Sequence, residues 1–159
     1  MNKKITFDIA YLLIIAMTAG SVLVLGVIVA AVVFHSEMFL TLPLLSRYEE
    51  GKIMGEIFRR FSYWGYFTVL VITLYELYRY KMMQIDKIAI LSAMASIGTM
   101  LLFAGVYTPK ILDYQAQGEG AIDAGFEALH KASELDFKVL LVALLVLFSR
   151  RAYLMAVKR

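Results

Sequence analysis

Four apolar stretches, each bounded by polar or charged residues, organise this chain. The first runs from about Ile9 to Phe34 without a charged residue. As a helix it spans about 39 Å, longer than a hydrocarbon core of roughly 30 Å, so it is expected to tilt or protrude. The second runs from Phe61 to Tyr78, between Arg60 and Arg79. The third runs from about Ile88 to Val106 and is expected to end at Thr108-Pro109, where the ring of Pro109 breaks a regular helix. The fourth is strictly uncharged only from Val139 to Phe148. Counting back about 20 residues from Arg150, the length a span needs, reaches His130. This places the fourth span at residues 130–149, with Glu134, Asp136 and Lys138 in the outer leaflet. A span from Val139 to Val157 would bury Arg150 and Arg151 instead, at about 2.5–3.5 kcal/mol each near the bilayer centre.

The connections carry pattern too. In residues 35–60, the spacing of Ile53, Met54, Ile57 and Phe58 is that of a helical stripe, which predicts an amphipathic interfacial helix leading into the second span. Residues 107–129 break at Gly118-Glu-Gly120. From Ala121 the recurrence of Phe126, Leu129, Ser133, Phe137 and Leu140 predicts one helix running unbroken into the fourth span. The expected fold is all-α, a single integral membrane domain built as a four-helix bundle, with spans at 9–34, 61–78, 88–106 and 130–149.

Composition agrees. Of 159 residues, 61% are apolar and 18% charged, and mean hydropathy is +0.73. A soluble domain sits nearer 45–50% and 25%, so lipid must cover part of the surface. The net charge of +3 does not imply nucleic acid, because the bases sit at the ends of apolar segments. Lys3, Lys4, Arg79, Lys81, Lys87, Arg150, Arg151, Lys158 and Arg159 crowd the two tails and the short second loop. The bases of loops 35–60 and 107–129 are more dilute, and six acids accompany those around the latter loop. That contrast predicts a bacterial inner-membrane protein with both termini cytoplasmic and those two loops periplasmic or extracellular. The first stretch is too long for the core of a cleaved signal peptide and is expected to be retained. Phe61, Tyr63, Trp64, Tyr66 and Phe67 at one end of the second span, with Tyr75, Tyr78 and Tyr80 at the other, predict two interfacial aromatic belts; packing between helices is the competing use for some of them.

Candidate chemistry is sparse. There is no cysteine, which excludes disulfides, iron–sulfur clusters and thiolate zinc sites. Two histidines cannot form a three-histidine metal centre. One constellation stands out: His130 and Glu134 lie four apart on one helical face, bordered by Ser133, with Asp136 near, and His35 and Glu37 fall at the same expected depth. These six residues form a candidate polar site at the outer end of the bundle. They could cap the bundle by hydrogen bonding, bind a divalent metal, or handle protons. No metal or other cofactor is expected from them. Gly51 and Gly55 have close-packing spacing but lie outside the apolar core. Glu76 reads as interfacial. Nine methionines are scattered as gap-fillers. No nucleophile–base pair or phosphate loop asks for an enzyme.

Met38-Phe-Leu-Thr-Leu-Pro43, Gly55-Glu-Ile-Phe58, Pro109-Lys-Ile111 and Phe126-Glu-Ala-Leu-His130-Lys-Ala-Ser133, in this order and spacing, cover most of the chain. They resemble the transmembrane-protein-205-like family of small four-helix membrane proteins, whose bacterial members are labelled as a domain of unknown function. The chain departs from that pattern at Arg59, where the family tends to have proline, and at Phe137, where it tends to have asparagine. The resemblance singles out Pro43, Pro109, His130 and Ser133. It implies only loose links to metal or drug resistance.

Two functions remain open on the sequence. One is an accessory or assembly protein that meets a larger membrane complex, or a second copy of itself, within the bilayer. The other is a transporter of a small solute, metal ion or proton; a haem redox enzyme is a distant third. A polar cavity reaching the membrane midplane would favour transport.

Overall fold

A computed structural model describes residues 3–39 and 45–157. Pro43 and most of the motif before it, like Lys158 and Arg159, lie outside the described residues. Four long helices make up the chain. Helix α1 covers residues 3–33, helix α2 Arg47–Lys81, helix α3 Lys87–Ala116 and helix α4 Ala124–Val157. Single 3₁₀ turns lie at Ser36–Met38 and Glu119–Ala121, and no strand occurs among the described residues. Three helices are long and apolar enough to cross a membrane: Ile5–Val33, Lys87–Ala116 and Ala124–Val157. The protein is an all-α membrane four-helix bundle.

The stripe around Met54 is not a separate helix. Ser46 starts α2 well before the apolar run begins: its Oγ accepts from the Glu49 amide at 3.3 Å, and the Glu49 carboxylate accepts from the Ser46 amide at 2.7 Å. This reciprocal capping box satisfies two otherwise orphaned donors. The stripe then divides. Met54 is buried in the bundle, whereas Ile53 faces outward with 41% of its surface exposed.

Pro109 does not end α3. Residues Phe103–Tyr107 form a π-helical turn immediately before it, and the Thr108 amide donates to the Phe103 carbonyl, five residues back. The wider turn takes the carbonyls out of the regular ladder, so the proline ring meets no carbonyl at the spacing that breaks an α-helix. A second π turn, Val24–Val29, interrupts α1. From Ala124, α4 runs unbroken for 34 residues.

Each helix packs against two neighbours in the order α1, α2, α3, α4 and back to α1. The interior is filled along its length. At one level Ile15, Ile72, Ala93, Leu144 and Leu147 are buried; beyond them come Val22, Met100 and Leu140. Four rings then fill the half of the bundle farther from the start of α1: Phe103 and Phe137 stand 4.6 Å apart, with Phe58 and Phe61 edge-on to both at 5.2–6.2 Å. Polar groups in the middle are paired across helices. Thr18 Oγ1 accepts from Trp64 Nε1 at 2.9 Å and lies 3.0 Å from Thr68 Oγ1. On the outer surface of α2, Leu70, Leu74 and Leu77 are exposed between Tyr63, Tyr66 and Phe67 at one end and Tyr78 and Tyr80 at the other. An apolar band with aromatic ends is the pattern lipid selects.

Gly51 and Gly55 do pack closely, against the end of α3. A Cβ on Gly55 would overlap Gln115 Oε1 and come within 3.1 Å of Leu112, and the Gln115 amide is held by a 2.8 Å bond to the Gly51 carbonyl. Gly55→Leu is therefore expected to destabilise the bundle by about 1–3 kcal/mol through overpacking. Gly20 has nothing within 4 Å of such a Cβ, so Gly20→Ala should instead gain up to about 1 kcal/mol from helix propensity. Unfolding in mixed detergent micelles measures both.

Candidate functional site

At the end of the bundle where α4 begins, that helix holds three of the six candidate residues in one turn. His130 Nε2 lies 3.3 Å from Glu134 Oε1, and Ser133 Oγ donates to the His130 carbonyl at 2.7 Å. The His130 ring lies parallel to Phe126 at 6.0 Å, and Phe126 meets Tyr114 of α3 edge-on at 5.8 Å. His130 is thus half-buried on the flank that faces the loop between α3 and α4. Ser133 is buried, while Glu134 is exposed and also 3.8 Å from Lys138 Nζ. His35 is exposed, with Nδ1 3.0 Å from the Ala31 carbonyl of its own helix, and Glu37 is exposed. Asp136 points the other way from Glu134: it is 9% exposed, and its Oδ2 is buried without a hydrogen-bond partner. Among the described residues, no three His, Asp or Glu side chains come together as a metal site.

The buried acid joining loop one to the bundle is Glu50. Ser36 Oγ donates to its Oε1, and Arg47 lies 3.7 Å from its Oε2 while donating to the Phe34 carbonyl at 2.6 Å. Beside it, the Tyr48 hydroxyl donates to the Gln115 carbonyl. The Arg47–Glu50 spacing of three is the only trace of this arrangement in the sequence.

The larger polar assembly sits at the opposite end, where α1 begins and α2 and α4 finish. Arg151 is 1% exposed and donates to Glu76 through Nε at 2.9 Å and again through Nη2. Glu76 Oε1 also accepts from the Tyr11 hydroxyl at 3.0 Å. The Tyr75 hydroxyl donates to Asp8 Oδ1 at 2.8 Å, and Arg79 Nη1 is 3.4 Å from the same oxygen. Tyr11 and Tyr75 stack at 3.6 Å, nearly parallel, and the guanidinium groups of Arg79 and Arg151 each lie 5.6 Å from the Tyr75 ring centre. Two acids and two bases cancel, so the assembly buries no net charge, which is what lets it sit inside the bundle.

Beside it, Arg150 forks onto Asp86 at 3.0 and 2.7 Å, and Asp86 caps α3 by accepting from the Ala89 amide at 3.0 Å. The Arg150 hydrogen bonds hold the Asp86 carboxyl down at about 2. None of these groups forms a nucleophile–base pair. What they do is tie four helix ends together by directional bonds.

The sequence hid this assembly in plain roles. Asp8 stands just outside the first apolar run, Glu76 looks interfacial, and Arg151 looks like a surface base. The available signal was that Tyr75, Glu76 and Arg79 face the same expected depth as Asp8, Tyr11 and Arg151.

Two grooves mark the outer surface. One, of about 560 Å³, lies between α1 and α2 and is lined by Met17, Gly20, Val24, Leu25, Ile57 and Phe61. The other, of about 470 Å³, lies between α3 and α4, with Val142 and Val146 on its wall and Arg150 at its end.

No curated protein and no solved structure matches the chain. A family model does match, over residues 13–120, which takes in about the last two thirds of α1 together with α2 and α3 and stops short of α4. The chain therefore belongs to the family described as Domain of unknown function, DUF4149.

Proposed function

We propose that this protein is an accessory or assembly subunit that works by presenting a fixed helical surface to a larger complex in a bacterial inner membrane. The observation that carries this reading is the filled interior. Ile15, Ile72, Leu140, Leu144 and Leu147 are all at most 1% exposed, and the four-phenylalanine cluster lies outward of them. A solute path through the middle would need these side chains to part, at the cost of close packing on every helix. The described grooves instead open outward.

In this reading α2 is the fourth span, crossing at 61–78 between its aromatic belts, and both termini with the α2–α3 turn are cytoplasmic. The transmembrane-protein-205-like resemblance belongs here as well, resting on Gly55-Glu-Ile-Phe58 and Phe126-Glu-Ala-Leu-His130. Native mass spectrometry after mild detergent extraction tests the function. A defined heteromeric complex is expected. A lone protein that also conducts protons or ions in proteoliposomes would overturn the proposal. For topology, Gln84→Cys in intact cells should be protected from an impermeant thiol reagent; clear labelling would refute it.

A second reading, proton handling, draws on one observation: the unpartnered buried oxygen of Asp136. Intramembrane acids are often functional. Loss of proton flux in Asp136→Asn proteoliposomes, with the fold intact, would favour it.

A further inference from the structure

We propose that the groove between α3 and α4 binds one anionic phospholipid, with an acyl chain along the groove and the phosphate at Arg150. The groove runs along α4, with Ile88 at the start of α3 beside its mouth, and both helices are long and apolar enough to cross a membrane. Val142, Val146 and Ile88 make its wall, and the stretch from Val142 to Arg150 runs about 12 Å along the helix axis. That is an apolar trough that takes the upper part of an acyl chain, and it ends at three polar side chains, Ser149, Arg150 and Tyr153.

Arg150 is built to receive a phosphate there. Its Nε and Nη2 are engaged by Asp86, which fixes the plane of the guanidinium. The group also lies 5.4 Å from the Tyr153 ring centre. Its Nη1 makes no hydrogen bond among the described residues, and the side chain remains 30% exposed. Lys87, exposed and adjacent to Ile88, adds a second cation. Two cations against the single charge of Asp86 leave the mouth at +1. A phosphodiester without an amine fits that charge; a zwitterionic headgroup would bring its own cation into it. Basic residues at such positions between spanning helices recognise anionic lipid headgroups. This inference is independent of the accessory reading, since it concerns a different ligand.

The test is native mass spectrometry of the whole protein in maltoside detergent, titrated with dioleoyl phosphatidylglycerol or dioleoyl phosphatidylcholine. One net cation near the surface predicts about a five-fold preference for the anionic lipid. Val142→Trp, which fills the trough and leaves every charge, should weaken both adducts several-fold. Arg150→Gln, which leaves Lys87 and Asp86 to cancel, should bring the preference close to one; Asp86 still caps α3 through the Ala89 amide, and a thermal melt checks that this variant is folded. Equal wild-type binding of the two lipids would overturn the proposal. So would a preference that survives both variants, or displacement of the lipid by millimolar inorganic phosphate alone.

Discussion

Replacing Arg151 by methionine should cost the bundle about 3–5 kcal/mol, the range for removing one partner of a buried ion pair. The loss is not that of the attraction alone. Arg151 is almost fully buried, and Glu76 beside it is only slightly exposed. Without the guanidinium, Glu76 keeps one hydrogen bond, from Tyr11, and no compensating charge at that point. The double replacement Glu76→Leu with Arg151→Met should recover most of the loss, because it removes both charges together. Unfolding in mixed micelles reads the two values directly. A single variant within about 1 kcal/mol of the natural protein would mean that the pair is not buried in the membrane-bound state.

Asp136→Ala should act in the opposite direction and stabilise the bundle by about 1–3 kcal/mol, the cost of a buried polar group without a partner. The carboxyl is buried on α4 beside Phe137, and its Oδ2 has no donor. Alanine also suits a helix interior better than aspartate. A residue whose removal stabilises a protein is retained for another reason, so this variant separates stability from function at one position. Marked destabilisation would show that Asp136 has a partner in the membrane, and would send attention to what supplies it.

Much of the architecture was legible because it follows from local rules. The apolar lengths of α1 and α4, the unbroken run into α4 and the aromatic ends of α2 all follow from rules that act along one helix. The close approach at Gly51 and Gly55 was legible as a spacing, although its partner, Gln115, was not. The misreadings have particular causes. Pro109 was expected to stop α3, but a π turn absorbs it. The helix expected to lead into the second span is there, but the Ser46 capping box makes it the start of α2 itself. The Asp8–Arg79 and Glu76–Arg151 pairs join residues 71 and 75 apart in the chain. No periodicity reports such a pairing; only the antiparallel return of the helices brings their ends together. At the opposite end, the spacing of four brings His130 beside Glu134, but depth alone could not say that His35 would turn back to the Ala31 carbonyl.

The two π turns have a consequence for chain length. Each is a wide turn holding one more residue than an α turn over a similar rise. Both lie beside Phe137: Gly26 is in the turn of α1, where a Cβ would stand 3.7 Å from that ring, and Phe103 opens the turn of α3. Deleting one residue at such a turn converts it to regular helix while both flanks keep their facing. The same deletion elsewhere would rotate everything beyond it by about 100° and carry buried positions out to lipid. In α1 nothing opposes that conversion, so relatives one residue shorter there can keep the same bundle. In α3 the conversion would set Pro109 into a regular ladder, so that helix can shorten only if its proline changes as well.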